Sequence, residues 1–358
     1  MKILVIQQKM IGDVLVSSMI CNNLKSEYPN AQIDYLIYPF TKPVVENNRN
    51  IDNVILFTDE IKNSKIEFTK FLFKIRKGKY DIVIDAYGKL ESALITRFSG
   101  APKRIGYKQK EKLGAYNFPV EHHDFPKTFA GLAIERRENL FKDLMTKPID
   151  NLPKLFVTEK EKQDALAIFK TNGIYPENEN VIMLSILGSD MEKTYPEKYL
   201  VELINFIAKK ENTKLLFNYM PKQFSEAKNI YDQCSEEAKS KINLEIIGEN
   251  LRSFMGIMTY CKMLIGNDGG AVNMAKALEK PTFTIFSPWI QKESWSIFED
   301  GIFHKAVHLN DFSPEIFKDK NRKELKKNYI QYYELFLPTL IFDSLSAFLN
   351  THLSKKHV

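Results

Sequence analysis

The sequence predicts an α/β protein that contains two doubly wound parallel sheets. Short apolar segments of strand length alternate with segments of helical periodicity, and this alternation runs through the chain twice. The strand segments are continuously apolar, as in YDIVID at 80–85, which is typical of parallel strands buried on both faces. The length of 358 residues is also more than one hydrophobic core usually serves.

Each series can be divided into elements from its periodicity. In the first, we predict strands at 2–6, 32–38, 54–57 and 80–85 and helices at 14–28, 62–77 and 129–145, with a polar, aromatic loop at 107–126. In the second, we predict strands at 181–186, 214–219, 244–247, 263–266 and 282–286 and helices at 196–209, 224–234, 251–260 and 271–278. Pro148 and Pro153 mark the approach to a linker, and the tail at 329–353 is predicted to be one long apolar helix. The predicted domains are therefore 1–160 and 161–328, followed by a C-terminal helix at 329–358.

The composition excludes several classes of protein. Three cysteines that are far apart and lack CxxC spacing argue against a disulfide framework or a zinc site, and they fit a reducing compartment. No apolar run is as long as a membrane-spanning helix, and the apolar start at 2–6 is too short for a signal peptide. We therefore expect a cytoplasmic protein. The net charge of +6 permits an anionic partner without requiring one, and nothing indicates nucleic acid.

The first candidate for chemistry is Asp13, which follows the first predicted strand in the sequence Ile11-Gly12-Asp13. A carboxylate at this point can cap the helix that begins there. It can also act as a general base, because the ends of first strands border the ligand site in doubly wound folds. The loop lacks GxGxxG, so no dinucleotide-binding fingerprint is present here.

Two further loops follow strands of the second series. Gly188-Ser189 with Lys193 offers backbone amides, a hydroxyl and a cation to phosphate oxygens, although the spacing is not that of a Walker A motif. The sequence GNDGGA at 266–271 ends an apolar strand and opens a helix. Its glycines suit a diphosphate at the helix N-terminus, and they equally suit a tight turn built for packing.

The remaining candidates carry weaker signals. Glu226 follows the strand at 214–219, where a carboxylate can accept ribose hydroxyls or simply be solvated. Arg97, Lys103 and Arg104 follow the YDIVID strand and are candidates for contact with an acidic acceptor. A metal site at His122-His123 is disfavoured because adjacent side chains diverge. The basic cluster at 318–327 is interpreted as a solvated helix face rather than a site for anionic lipid or glycan phosphate.

In this order, the motifs resemble those of the heptosyltransferases, which form glycosyltransferase family nine. The resemblance extends from Met1 to about Trp295. It rests on KILVIQQKMIGDVLVSS, YPNAQIDYLIYP, NIDNVI, YDIVIDAYGKLESALITRFSGAPKRIGY, LGSDMEKTYPEKYLVELI and, most diagnostically, GNDGGAVNMAKALEKPTFTIFSPW.

The resemblance implies a GT-B fold, in which two Rossmann-like domains face a central cleft. The first domain would bind the acceptor and the second the nucleotide sugar, while the C-terminal helix would pack back on the first. The implied reaction is an inverting, metal-independent transfer without a cofactor. The family's usual donor is ADP-heptose, and its acceptor is a lipopolysaccharide core or another surface glycan. The resemblance implies an enzyme that works at the inner face of a membrane, in peripheral contact with it.

Individual roles follow from the same resemblance. Asp13 matches the catalytic base, and the donor-binding positions correspond to Ser189, Lys193, Glu226, Asp268, Gly269, Gly270 and Asn273. Candidate acceptor contacts are Lys9, Gly12, Arg97 and Arg104. The chain departs from the family at Gln7, where an arginine is common, and at Asn273, where a histidine is usual.

Two other functions remain open at this stage. A non-catalytic protein of the same fold would bind a nucleotide sugar or glycan, but such a protein needs no base at Asp13. A sugar-nucleotide epimerase or dehydrogenase would require NAD, which the missing GxGxxG disfavours.

Overall fold

The computed structural model describes residues 1–110 and 113–353, and it divides the chain into two compact units, 1–156 and 157–358. The division lies close to the predicted boundary after residue 160. Each unit contains a six-stranded sheet in which every pair of neighbouring strands is parallel. The predicted α/β class with two doubly wound sheets is confirmed.

The first unit follows the predicted alternation. Its strands are β1 (Lys2–Ile6), β2 (Gln32–Ile37), β3 (Asn53–Leu56), β4 (Ile82–Asp85), β5 (Lys103–Tyr107) and β6 (Phe118–Val120). Its helices are α1 (Ile11–Glu27), α2 (Asp59–Asn63), α3 (Lys65–Lys77), α4 (Leu90–Phe98) and α5 (Leu132–Asn139). The sequence analysis missed β5 and β6, because their short runs contain polar residues, glycine and proline. The predicted loop at 107–126 therefore contains a strand.

The second unit repeats the pattern. Its strands are β7 (Asn180–Ser185), β8 (Thr213–Asn218), β9 (Ile242–Asn243), β10 (Met263–Asn267), β11 (Thr282–Ile285) and β12 (His304–Val307). Its helices are α6 (Glu159–Thr171), α7 (Glu197–Ala208), α8 (Phe224–Gln233), α9 (Glu236–Lys239), α10 (Leu251–Tyr260), α11 (Gly270–Ala277), α12 (Lys292–Trp295), α13 (Arg322–Lys327), α14 (Tyr329–Leu335) and α15 (Phe342–His352). The strand predicted at 244–247 is wrong, since pairing in that region is confined to β9.

Both sheets have the same strand order. The first runs β3-β2-β1-β4-β5-β6. The second runs β9-β8-β7-β10-β11-β12, which is the same order when its strands are numbered from β7. In the first sheet, strands are added on one side of β1 as far as β3 and then on its other side, starting with β4. The order of strands reverses in the same way between β7 and β10 in the second sheet. Ligands bind at such switch points, beyond the carboxyl ends of the strands. The fold therefore directs attention to the loops that follow these four strands.

The C-terminal segment differs from the predicted single helix. It is interrupted at 336–341, where Pro338 lacks the amide hydrogen that a continuous helix needs. Its buried side chains belong to the core of the second unit, and its packing on the N-terminal domain stays a prediction. Phe348 packs against Phe283 of β11, and Phe342 stacks on Phe206 of α7.

No helix within residues 1–110 and 113–353 combines the length and apolar character needed to cross a membrane.

Candidate functional site

The switch point of the first unit is formed by the ends of β1 and β4. These strands are paired in register, with Ile6 opposite Asp85. The segment 7–10 leaves β1 and leads directly into α1, so Asp13 lies in the first turn of that helix. The structure thus places the predicted base at the edge where doubly wound folds bind ligands.

Asp13 forms an ion pair with Arg137, a residue that the sequence analysis did not identify. The Oδ1 atom of Asp13 accepts a hydrogen bond from Nη2 of Arg137 at 2.7 Å. Its Oδ2 atom is 3.5 Å from the backbone nitrogen of Met10, a long contact at the helix start. The Asp13 side chain keeps 23% of its surface exposed, against 10% for Arg137. The ion pair therefore orients the carboxylate, while the Asp13 side chain as a whole stays partly exposed.

A buried hydrogen-bond network fixes Arg137. Its Nε–H donates to Ser17 Oγ at 2.7 Å, and Nη1 donates to the carbonyl of Ala133 at 2.8 Å. Ser17 donates in turn to Gln7 Oε1 at 3.3 Å, and Gln7 Nε2 donates to the carbonyl of Lys9 at 2.8 Å. Because Ser17 and Gln7 are both buried, the network ties the loop after β1 to α1 and α5.

Further cations lie around this ion pair. Arg136 donates Nε and Nη2 to the carbonyl of His123, and Lys110 lies 5.1 Å from the centre of the Tyr107 ring. Burial lowers the pKa of Lys110, and the charge of Arg137 lowers it further. Burial, followed by Arg136 and Lys110, lowers the pKa of His122 to about 4. The surroundings are electropositive, which suits an acceptor that carries negative charge.

Asp85, at the end of β4, is a buried carboxyl group whose partners lie in the loops after β4 and β5. Burial raises the pKa of Asp85, although hydrogen bonds from Gly88 and Tyr116 act in the opposite direction. Its Oδ1 accepts from the backbone amides of Tyr87 and Gly88, and its Oδ2 accepts from Tyr116 Oη at 2.8 Å. The carboxyl group is thus engaged in shaping the loop after β4.

Two of the predicted acceptor residues lie at the same edge as Asp13. Gly12 is in the first turn of α1, directly before Asp13. Lys9 belongs to the loop after β1, where its Nζ lies 5.4 Å from the centre of the Tyr38 ring. Both remain candidates for acceptor contact.

The other two predicted acceptor residues have different settings. Arg104 donates Nε to the carbonyl of Ala115 and Nη1 to that of Ala101, so its guanidinium braces the loop that follows β5. Arg97 is an exposed residue in the last turn of α4. Their roles in acceptor binding stay predictions, while Arg137, Arg136 and Lys110 are the cations that interact with one another near Asp13.

His122 and His123 are engaged individually rather than as a pair. His122 packs edge-on against Tyr107 with ring centres 5.1 Å apart, and His123 Nε2 lies 3.5 Å from Glu135 Oε2. Among the residues that the structure describes, no three His, Cys, Asp or Glu side chains are grouped as metal ligands would be.

In the second unit, Asn267 organises the switch point between β7 and β10. Its amide nitrogen donates to the carbonyls of Ser185 and Ile186 at 2.9 and 3.0 Å, and its Oδ1 accepts from the backbone of Tyr195 at 2.7 Å. Gly266 precedes it with a φ of +134°, and a Cβ there would lie 2.3 Å from the carbonyl oxygen of Ser185. Only glycine allows β10 and β7 to approach so closely.

The loop at 188–194 presents the predicted phosphate-binding residues. The backbone amide of Gly188 donates to Thr194 Oγ1 at 3.0 Å, and a Cβ at Gly188 would lie 2.5 Å from the carbonyl oxygen of Lys193. Ser189 is exposed and donates its hydroxyl to Asp190 Oδ2 at 3.0 Å. The loop is therefore closed at its base, with Ser189 at its exposed turn.

The start of α11 is open to a ligand. Gly269 caps the helix and Gly270 is its first residue, and a Cβ added at Gly269 would meet no atom within 4 Å. Asn273 follows within the first turns of this helix and is partly exposed. Backbone amides at an accessible helix N-terminus bind phosphate oxygens well.

Asp268 is the carboxyl group at this N-terminus. Burial raises its pKa to about 6, although Lys193 and Lys276 act to lower it. Lys276 is buried on α11 and donates Nζ to the carbonyl of Ile297, and burial lowers its pKa to about 8. The interaction between Asp268 and Lys193 joins the two loops that were predicted to hold the donor.

Glu226 occupies the first turn of α8 and is exposed. Its predicted contact with the ribose stays a prediction. The sequence analysis missed Tyr333 of α14, a buried residue whose hydroxyl bonds Ser287 and which interacts electrostatically with Asp190 and Asp268. Tyr333 lies near these residues only because the C-terminal segment packs on the second unit. Its position in the sequence therefore could not predict this contact.

The model of glycosyltransferase family 9 (heptosyltransferase) matches residues 68–297, which is more than half of the chain. The chain belongs to glycosyltransferase family 9. It is therefore an enzyme of the glycosyltransferase class, as the order of its motifs predicted.

Characterised relatives of this family 9 member span most of its length. It is 25% identical over 309 residues to lipopolysaccharide heptosyltransferase 1 of Campylobacter coli, covering 80% of this chain and 84% of that protein. It is 24% identical over 326 residues to lipopolysaccharide heptosyltransferase 2 of Salmonella typhimurium, covering 86% and 87%.

Solved structures agree on the fold. A family 9 glycosyl transferase from Veillonella parvula superposes with a TM-score of 0.78 at 18% identity, over 98% of this chain and 97% of that one. The ADP-heptose lipopolysaccharide heptosyltransferase II of E. coli superposes with a TM-score of 0.71 at 20% identity, over 98% and 99%. These likenesses confirm the predicted GT-B fold for this family 9 enzyme.

Proposed function

We propose that this enzyme transfers heptose from ADP-heptose to a lipopolysaccharide-core or related surface-glycan acceptor. The observation that carries the proposal is Asp13, which lies at the β1–β4 switch point, is held by Arg137 and keeps its side chain partly exposed. The names of the relatives in Campylobacter coli and Salmonella typhimurium support the choice of sugar and acceptor. The electropositive surroundings of Asp13 fit an acidic acceptor.

The proposed reaction is a single displacement that inverts the anomeric carbon. Asp13 takes the proton of an acceptor hydroxyl while that oxygen bonds to the anomeric carbon of the donor. The bond from this carbon to the nucleotide diphosphate breaks, and the diphosphate leaves with the bonding electrons. Arg137 keeps the Asp13 carboxylate in position throughout and is a positioning residue.

The second unit is proposed to hold the donor. Ser189, Lys193 and the amides at the start of α11 would bind the diphosphate and stabilise the charge that develops on it. We propose that Asp268 and Asn273 contact the donor sugar and that Glu226 contacts the ribose. Because protein cations and amides supply this stabilisation, we expect transfer to proceed without an added divalent metal.

The acceptor is proposed to be lipid-linked, which would bring the first unit to the inner face of a membrane. Phe125 and Phe129 have 73% and 71% of their surface exposed, with Lys127 between them in sequence. The buried Glu135 accepts hydrogen bonds from the backbone of Lys127 and Thr128, which ties this loop to α5. Exposed aromatic and basic side chains on a fixed loop suit a headgroup surface.

Donor choice and transfer can be tested together. Purified enzyme is titrated calorimetrically with ADP, GDP, UDP and CMP in EDTA, and then incubated with ADP-heptose and a core-truncated lipopolysaccharide. Selective binding of ADP and formation of a product of inverted anomeric configuration, identified by NMR, are expected. Selective binding of another nucleotide would overturn the donor assignment, and a product of retained configuration would overturn the single displacement.

A further inference from the structure

Three cations surround Trp289, which follows β11 in the second unit. The Nζ atoms of Lys193 and Lys326 lie 5.8 and 4.9 Å from the centre of its ring, and the guanidinium carbon of Arg322 lies 5.0 Å from it. Lys193 belongs to the loop proposed to bind the diphosphate. Arg322 and Lys326 come from α13, in the basic cluster that the sequence analysis interpreted as a solvated face.

The ring that gathers these cations is fixed. Trp289 is buried, and its Nε1–H donates to the carbonyl of Glu192 at 2.9 Å, while Ser287 donates to the same carbonyl at 2.7 Å. Leu325 and Tyr329 pack against the cluster that contains Trp289. The ring thus joins the loop before Lys193 to α13, so the three cations share a rigid support.

The charges of this group are not balanced. Lys326 pairs with Glu192 at 2.7 Å. Across residues 1–110 and 113–353, neither Lys193 nor Arg322 forms an ion pair within 4 Å. Asp268 interacts electrostatically with Lys193, so Arg322 is the cation of this group for which no carboxylate partner is found among the described residues. An anionic ligand could supply that partner.

We propose that Arg322, assisted by Lys326, forms an anion subsite beside Lys193 that binds phosphoryl oxygens of the donor diphosphate. This inference rests on the proposed function and adds α13 to the donor site. Arg322 is exposed and presents a planar fork of N–H donors, which can bind two phosphoryl oxygens at once, whereas Lys193 supplies a compact charge. The group would stabilise the diphosphate as it leaves.

The helix itself offers matched controls. Arg322 and Lys326 are four residues apart and share the face of α13 that meets Trp289. Lys323 and Lys327 follow each of them by one residue, on the neighbouring face, and carry the same charge. A general effect of net charge would be equal for both pairs, whereas a subsite requires the first pair.

The experiment is a calorimetric titration of the full-length enzyme with ADP, adenosine and inorganic pyrophosphate. We expect Arg322→Ala to lower the affinity for ADP and for pyrophosphate by about tenfold or more, which is the usual contribution of a charge-assisted hydrogen bond. The affinity for adenosine should stay unchanged. Lys323→Ala should change all three affinities by less than about twofold, since exposed charges at a distance contribute little. Arg322→Lys should restore part of the lost affinity.

Thermal unfolding separates this role from a structural one. Without ligand, Arg322→Ala should unfold near the wild-type temperature, because the Arg322 side chain is exposed, while the stabilisation given by ADP should shrink. A lower unfolding temperature of the free variant, with ADP affinity unchanged, would overturn the subsite in favour of a packing role.

The remaining outcomes distinguish this inference from the proposed function. Suppose that Lys193→Ala lowers the affinity for ADP, while Arg322→Ala and Lys323→Ala both bind ADP as tightly as the wild type. The subsite is then overturned and the donor site stands. If pyrophosphate binds through Arg322 but no nucleotide diphosphate binds, the subsite stands and the donor assignment is overturned.

Discussion

The two units share one strand order but place different chemistry after their central strands. In the first, the main group is a carboxylate, Asp13, paired with a buried arginine. In the second, Lys193 from the loop after β7 interacts with Asp268 at the open start of α11 and shares the ring of Trp289 with Arg322 and Lys326. The comparison shows that the scaffold determines where a site lies, while the loops and following helices determine what it does.

The sites also differ in how firmly their side chains are held. Asp13 depends on Arg137, Ser17 and Gln7, which are buried and linked by directed hydrogen bonds. In the second unit Arg322 and Lys326 are exposed and Lys193 is partly exposed, and all three lie close to the ring of Trp289. A base needs its position set before reaction, whereas a phosphate-binding group can adjust as its ligand arrives.

The variant that tests this comparison with the largest expected effect is Asp13→Asn. It keeps the size of the side chain but removes the basic oxygen, so we expect kcat to fall by about 10³-fold, within the usual range for general base catalysis. The affinity for ADP, measured by calorimetry, should stay unchanged because the second unit is intact. Circular dichroism serves as the folding control, and turnover near the wild-type level would refute the role of Asp13 as base.

Lys193→Ala should produce the converse pattern. Removing this charge is expected to lower the affinity for ADP by about tenfold to a hundredfold, because one charge-assisted contact to phosphate is lost. Lys198→Ala is the control, since Lys198 is an exposed lysine that also lies near an aromatic ring, with its Nζ 4.7 Å from the centre of Tyr199. Equal ADP affinities of the two variants would remove Lys193 from the donor site.

Ser17→Ala tests whether the first site depends on its buried network. The change removes the acceptor for Arg137 Nε–H, and we expect kcat to fall by about tenfold and stability by about 1–3 kcal/mol, the cost of a buried unsatisfied donor. The control is Ser18→Ala, since Ser18 is equally buried but bonds only the carbonyl of Leu15. Calorimetry should show wild-type ADP affinity in both variants. If kcat falls equally in both, the network has no special role in catalysis.

Asp268→Asn is expected to have the smallest effect, and that effect depends on pH. Burial raises the pKa of Asp268 to about 6, above the value of about 3.9 for an unfolded chain. The stability that the protonated carboxyl provides is therefore fully present below about pH 4 and is lost as the pH rises through about 6. Asparagine stays neutral, so the variant should unfold on the order of 3 °C higher at pH 8 and at the wild-type temperature near pH 4.

Scanning calorimetry across this pH range measures the difference directly. Asp190→Asn, an exposed change in the neighbouring loop, is the control. A constant difference between Asp268→Asn and the wild type from pH 4 to pH 8 would show that the carboxyl does not titrate in this window.

Several elements show where sequence reasoning succeeded. The continuous apolar runs of β1, β4, β7 and β10 were predicted because strands buried on both faces leave a dense signal. The helix predicted at 271–278 begins one residue earlier, at Gly270, and the two glycines after an apolar strand indicated its start. The prediction missed strands β5, β6 and β12 and helices α4 and α6, and it placed a strand wrongly at 244–247. It also overlooked Pro338 in the tail.

The candidate sites divide in the same way. Asp13 and Lys193 follow strands within a few residues, so local sequence was sufficient to identify them. Arg137 lies 124 residues from Asp13, and Arg322 joins Lys193 only through Trp289. Packing between distant segments determines which residues become such partners, and no local sequence pattern predicts that packing.

The sequence by itself therefore determined the α/β class, the two units and the family, and it indicated the loops that we propose carry the chemistry. These follow from periodicity and from residues close together in the chain, where backbone geometry alone places the side chains. The tertiary structure alone decided which cations meet Asp13 and Lys193, and it placed the C-terminal helices in the second unit. Those contacts depend on burial and on hydrogen bonds between distant segments, which exist only once the sheets and helices have packed.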